Sequence, residues 1–296
     1  MTTQNLPVSV LILGLVWGLN FSLMKFAALS GIPFALLATM TIFGNLVIFT
    51  GFCLLFTGRL RLARTAVAFF LACGILGYLL PFFMELFAAP RIWASTLALL
   101  VALTPIMTLL IAGVSRTERI TLRRTMGILL GFLAILPIVL RDPSTLNTAL
   151  DAGLLIGLGV PLVYAIYHTV IARFWPPDLH DFEVALGETA AATLLMIPIY
   201  LQSTTSGDIP ENISWSSYWI VGALLAFSAL EVWLYFRIMR VGGAVYVSQS
   251  GYIAVIAGIF WGAIFFDEDI SWWLLMSLFM ILIALWFVAH TKKEEG

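Results

Sequence analysis

The chain has 296 residues and a formal net charge of −1, with 61% apolar and only 10% charged residues. A soluble domain carries roughly 25% charge, so this composition, with a mean hydropathy of +1.04, excludes a soluble globular protein and implies an integral membrane protein. The near-neutral balance gives no basis for a nucleic-acid partner, and membrane lipid is the expected surrounding.

In chain order, apolar segments fall at 7–29, 32–56, 66–88, 92–114, 122–140, 153–174, 183–201, 217–239, 243–265 and 272–290. Each is close to the ~20 residues a helix needs to cross the hydrocarbon core. Helices pair their own backbone groups, which lipid cannot do. The expected fold is therefore an all-α membrane protein of ten transmembrane helices. No Lys or Arg precedes Leu6, and the first apolar run continues past signal length, so it reads as a span and not a cleaved signal. Cys53 and Cys73 lie in apolar runs and read as free core thiols; the three histidines lack metal-ligand spacing. No metal and no cofactor is expected.

Orientation follows from the basic residues. With the N-terminus inside, the inner segments hold Arg59, Arg61 and Arg64; Arg116, Arg119, Arg123 and Arg124; Arg173; Arg237 and Arg240; and Lys292 and Lys293. The outer loops hold only Arg91 and Arg141, with Lys25 inside the outer end of span 1. Trp93, Trp215, Tyr218, Trp219, Trp272 and Trp273 fall at outer span ends, where amphipathic rings favour the headgroup region. The expectation is a multi-pass protein of the cell (inner) membrane with both termini cytoplasmic.

An internal repeat organises the whole. The stretch 88–121 returns 150 residues later: Ala94 matches Ala244, Glu118 matches Glu268, Ile120 matches Ile270 and Thr121 matches Ser271, whereas Pro105 meets Val255 and Ala102 meets Tyr252. Thr121 and Ser271 each read as the N-cap of the span that follows. Five spans separate the copies, an odd number, so the two halves (1–145 and 146–296) are expected to lie inverted in the membrane. Inverted repeats are a recurring build of secondary transporters, with the substrate site near the midplane. No phosphate-binding loop is present, so ATP is not expected to drive the protein directly.

Trp17-Gly18-Leu19-Asn20-Phe21 with Lys25, Ala94-Ser95, Pro105, Glu118, Gly127 with Gly131, Gly242-Gly243-Ala244, Gly262 and Glu268, in this order over ten spans, resemble the drug/metabolite transporter superfamily and its EamA-type members. That family commonly has an arginine in span 2, where this chain reads Ala38-Thr39-Met40-Thr41. The resemblance implies transport of small metabolites, often export of amino acids or related amphipathic compounds.

Carboxylates inside spans are the first candidates for chemistry, because an ionisable group in the hydrocarbon region is costly and usually faces a cavity or a partner. These are Glu85, Glu188 and Glu231. Tyr78, Pro81 and Glu85 share one helical face of span 3, with Phe82 beside them; Ser228, Glu231 and Tyr235 have the same spacing on span 8. The repeat offset puts those faces in register, so both are expected to line a central cavity. Glu188 lies near the inner boundary, where solvation is the simpler reading. Span 1 adds Trp17, Asn20 and Phe21; span 6 adds Tyr164 with Tyr167 or His168; span 9 adds Gln249 and Tyr252. An aromatic cavity with a few polar groups suits small amphipathic or cationic metabolites, although any single ring is better explained by packing.

Lys25 reads either as snorkelling to the interface or, by slight preference, as neutralising Glu85. Glu118 and Glu268 read either as paired gates or, preferably, as stabilisers of local turns. The Gly14/Gly18, Gly127/Gly131, Gly153/Gly157 and Gly258/Gly262 pairs have GxxxG spacing and are expected to set packing inside each half. Pro81, Pro105, Pro161 and Pro198 would kink spans 3, 4, 6 and 7.

The expected function is secondary active transport of a small-molecule substrate by alternating access, export being preferred, with a cationic substrate group or a coupling proton on Glu85 or Glu231 and a monomer or weak homodimer as the unit. Uptake or exchange of small cationic metabolites is the alternative. A membrane-embedded enzyme would need a convergent catalytic set, and His168, His180 and His290 are scattered; a passive channel would need a continuous polar stripe.

Overall fold

A computed structural model describes residues 6–57, 66–114, 121–137, 152–205, 217–242 and 244–289, all helices and short connections. We number the helices α1 Leu6–Leu29, α2 Phe34–Phe56, α3 Val67–Ala88, α4 Ala94–Val114, α5 Leu122–Leu133, α6 Ala152–Phe174, α7 Asp181–Thr205, α8 Trp219–Gly242, α9 Ala244–Phe266 and α10 Trp272–Ala289. Among the described residues eight are long and apolar enough to cross a membrane, namely α1 to α4 and α6 to α9; α10 is a shorter apolar helix. The fifth expected span is helical over α5, and its far part lies outside the described residues. Thr121 and Ser271 cap α5 and α10: their hydroxyls accept from Arg124 N–H and Leu274 N–H, both at 3.4 Å.

The packing is two-fold. α1 packs on α8 and α9, and the equivalent α6 packs on α3 and α4; α2 packs on α7, and α5 on α10, so that each is matched with its own repeat. Close contacts give the directions. Gly14 lies against Ser250 and Ile253, and Gly18 against Ala257 and Gly258, so α1 and α9 run parallel. Gly153 lies against Arg91 and Gly157 against Leu97 and Leu100, so α6 runs parallel to α4. Because Lys25 near the end of α1 meets the start of α4 through Glu268, α6 begins where α1 ends. The halves are inverted.

These contacts correct the reading of the small-residue pairs. Gly127 sits against Ala284, Phe287 and Val288 of α10, Gly131 against Ile106 and Ala284, and Gly258 against Ala98 of α4. Apart from that of Gly131 with Ile106 of its own half, these contacts pack the two halves against each other, because an inverted repeat buries helices of one half among helices of the other. The glycine face of α5 is therefore occupied within the chain.

Two prolines set local geometry. Pro105 has no N–H for the Val101 carbonyl; α4 breaks at Ala102–Leu103, and the Thr104 hydroxyl donates to that carbonyl at 2.6 Å. Pro81 likewise cannot serve Gly77, and the turn before it widens into a π-helix over Gly74–Leu79 that ends with Leu80 N–H on the Ile75 carbonyl. That wide turn rotates the two ends of α3 relative to each other.

Candidate functional site

A cavity of about 350 Å³ opens between the halves, lined from α1, α3 to α10. At its inner end stand Trp17, Glu85, Tyr164, Glu188, Glu231 and Tyr235. It runs past Thr104, Pro105 and Thr108 to Ala112, Arg124, Met239, Val247 and Val288, the end where α4, α8 and α10 finish and α5 and α9 begin. The break in α4 thus lies along its wall.

Three carboxylates face it, each held by one aromatic donor. Tyr164 O–H donates to Glu85 Oε1 at 2.9 Å, Tyr167 O–H donates to Glu188 Oε1 at 2.9 Å, and the Trp17 indole N–H donates to Glu231 Oε1. Glu85 and Glu188 are buried and Glu231 is half-buried. The rings of Tyr164, His168, Tyr235 and Tyr167 stand nearly parallel in sequence, with centroids 6.4, 5.6 and 5.7 Å apart and interplanar angles of 19°, 24° and 21°. Offset stacking holds each ring in one orientation.

Of the residues singled out in the sequence, Trp17, Asn20, Phe21, Glu85, Tyr164, His168, Glu231 and Tyr235 line the cavity. Tyr78 and Ser228 meet behind it: the Asn45 amide donates to the Tyr78 hydroxyl and, at 2.6 Å, to Ser228 Oγ. The π-turn is the cause, since it sends Tyr78 towards α2 and Glu85 towards α6. Phe82 packs in the core beside Leu86 and Ala89. Tyr252 packs against the α4–α5–α10 core and Gln249 is exposed. Glu188, expected to be solvated, is buried among Tyr167 and Gly77; Tyr167, offered on span 6 as the alternative to His168, lines the cavity beside it, and Asn45 and Gly77 were not among the expected site residues.

The opposite end is closed. Phe21, Ala88, Ala94, Leu97 and Ala98 form an apolar plug with Phe266. Beyond it Glu268 Oε1 takes Lys25 Nζ at 2.7 Å and Ala94 N–H at 2.7 Å, while Oε2 takes Ser95 N–H at 3.0 Å and Ser95 Oγ–H at 2.6 Å. Asp267, with φ of 51°, makes the turn that sends Glu268 inward. Burial by itself raises the Glu268 carboxyl; Lys25, Ser95 and Ala94 outweigh it and hold the group below the ordinary carboxylate range. Lys25 therefore belongs to Glu268 and not to Glu85, and Glu268 is no local turn residue: it caps a helix of the other half. Its repeat mate Glu118 lies outside the described residues.

At the other end Asp181, 2% exposed, takes Arg240 at 3.1 Å, Arg237 at 3.8 Å and His180, and so ties α7 to α8.

A family model described as the EamA-like transporter family matches residues 7–140 and again 151–289. A solved structure described as a crystal structure of a protein shares 18% identity and a TM-score of 0.65 over 95% of this chain and 97% of its own. That likeness concerns the fold alone. The comparison with curated proteins finds no match.

Proposed function

Since the chain belongs to the EamA-like transporter family, we propose that it is a secondary transporter, by preference an exporter, of small amphipathic metabolites, working by alternating access around Glu231 and Glu85. The observation that carries this is the one-ended cavity: among the described residues, a polar, aromatic pocket reached from the Arg124 end and sealed by the Phe21 plug and the Lys25–Glu268 pair at the other. A transporter needs a site open to one side at a time; a channel needs a path to both.

Arg123, Arg124, Arg237 and Arg240 stand at the open end, and Trp219, Trp272 and Trp273 are exposed at the sealed end. Both features support a cytoplasmic N-terminus and a cavity that faces the cytoplasm, the state in which an exporter loads. The π-turn in α3 and the break in α4 border the cavity and supply the bending points for the exchange of states.

A thermal-shift screen against metabolites identifies a ligand, because binding to the folded state raises its apparent stability. Counterflow of that ligand in liposomes is then expected to saturate and to be stimulated by ligand on the far side. Glu231→Gln is expected to slow it at least about tenfold, the loss of one strong polar contact. Flux that does not saturate, or an unchanged rate in the variant, would sink the reading.

A further inference from the structure

The inner end of the cavity holds more acidic groups than its surroundings neutralise. Arg124 is the only Lys or Arg among the described lining residues, and it stands at the mouth. Each of the three carboxylates accepts its aromatic hydrogen bond at Oε1, and none takes a hydrogen bond at Oε2 from the described residues. An ionised carboxylate can only accept. In that form the site presents three acceptor oxygens with no fixed cation beside them among the described residues.

A second observation is independent of those carboxylates. Tyr235, 4% exposed and lining the same cavity, has a buried hydroxyl with no hydrogen-bond partner among the described residues. Such a group is costly to leave unpaired and normally has a ligand or water. It sits within the parallel series of Tyr164, His168, Tyr235 and Tyr167, whose faces attract positive charge and flat apolar bodies.

Resting on the reading of this cavity as the transport site, we infer that its substrate is a small organic cation with a flat apolar body. The ammonium is held by the Oε2 atoms of Glu231 and Glu85, and the body lies along the tyrosine and histidine rings. An ammonium supplies three donors and one positive charge, the complement of what the site lacks. An unpaired carboxylate charge at this buried end of the cavity is costly, and a proton takes the place of the cation when the site is empty. Arrival of the substrate therefore displaces a proton from the site, and its departure takes one back: one positive charge in, one out.

The other groups around that proton are Glu188 of α7; Tyr164, Tyr167 and His168 of α6; Tyr235 of α8; Arg124 of α5; and, behind the lining, Cys73 and Tyr78 of α3. None besides Arg124 is a fixed cation.

The test uses three probes with one phenyl body and three charges: phenethylamine, phenylalanine and 3-phenylpropanoate. Phenethylamine is expected to raise the melting temperature of the purified chain and to release protons on binding in weakly buffered detergent solution. The other two are expected to bind at least about tenfold more weakly. Glu231→Gln and Glu85→Gln should each lower phenethylamine affinity at least about tenfold and reduce proton release. The milder Tyr235→Phe should weaken binding while keeping the proton release per molecule bound. Melting without ligand shows that each variant is folded.

Phenylalanine or 3-phenylpropanoate binding as tightly as phenethylamine overturns the inference, and the transporter reading stands. Silence of phenethylamine and of benzylamine, a shorter cation, also overturns it. Binding with proton release but no exchange of phenethylamine in liposomes leaves the cation site in place and removes the transporter reading instead.

Discussion

Glu268→Ala is expected to be among the most destabilising single substitutions in the chain. It deprives four donors of their carboxylate at once: Lys25 Nζ, the N–H groups of Ala94 and Ser95, and the Ser95 hydroxyl. The two amides open α4, where no intrahelical partner exists for them, and Lys25 is left with its charge near Phe266. Breaking a buried pair from one side costs about 3–5 kcal/mol. Lys25→Met should cost less, about 1.5–3 kcal/mol for one hydrogen bond to a charged group, because Ala94 and Ser95 still satisfy the carboxylate. Thermal unfolding in detergent reads the order: wild type above Lys25→Met above Glu268→Ala. Equal melting of the two variants would refute the four-donor account.

The same group sets a pH dependence of known sign. Its folded carboxyl lies below the ordinary value of 4.5, so the folded state favours the charged form. The contribution is complete above 4.5 and is lost as the pH falls through the lower folded value. The gap in melting temperature between wild type and Glu268→Gln should therefore hold from neutral pH to about 5 and narrow in acid. A gap that widens in acid has the wrong sign for this carboxylate.

Much of the architecture was legible in the residues, and the reasons differ from element to element. Length and hydropathy placed the helices, because lipid leaves the backbone little choice. The 150-residue offset showed the inversion, since an odd number of spans reverses direction. The pairing of Glu268 with Ala94 was hidden although both residues had been marked. Sequence spacing reports neighbours on one helix, and this contact joins residues 174 positions apart in opposite halves. The same blindness assigned the small-residue pairs to the wrong interfaces.

The lining of the cavity was half legible. Glu85, Glu231, Tyr164 and Trp17 line it and stood out in the sequence because polar groups in a span need a reason to be there. Tyr78 was misplaced because a face drawn at 3.6 residues per turn assumes an unbroken helix. The π-turn over Gly74–Leu79 violates that assumption, and its only sign in the sequence is a proline seven residues after a glycine. Tyr167 and Glu188 were undervalued for a related reason: their meeting depends on a bare backbone position across from them, Gly77.

Gly77→Ala is the sharpest test of that dependence. A Cβ built on Gly77 would overlap the Tyr167 ring at Cε2 and Cζ and also Glu188 Oε1. Neither neighbour can retreat easily. Tyr167 is held in the ring series by Tyr235 and His168, and Glu188 is held by the Tyr167 hydroxyl. Overpacking of this kind costs about 1–3 kcal/mol, and the separation of Tyr167 from Glu188 adds about 0.5–1.5 kcal/mol for an ordinary hydrogen bond. Transport in liposomes should fall at least about tenfold, the equivalent of 1.4 kcal/mol at the working site. Gly222→Ala, on α8, is the control, because nothing lies within 4 Å of its Cβ; alanine there also favours the helix by up to about 1 kcal/mol. A second variant separates packing from chemistry. Tyr167→Phe keeps the ring and removes the hydroxyl, so its melting should drop less than that of Gly77→Ala while Glu188 loses its donor in both. If Gly77→Ala transports and melts like Gly222→Ala, the close approach of Tyr167 and Glu188 to α3 is refuted, and with it the part that the π-turn plays in shaping the cavity.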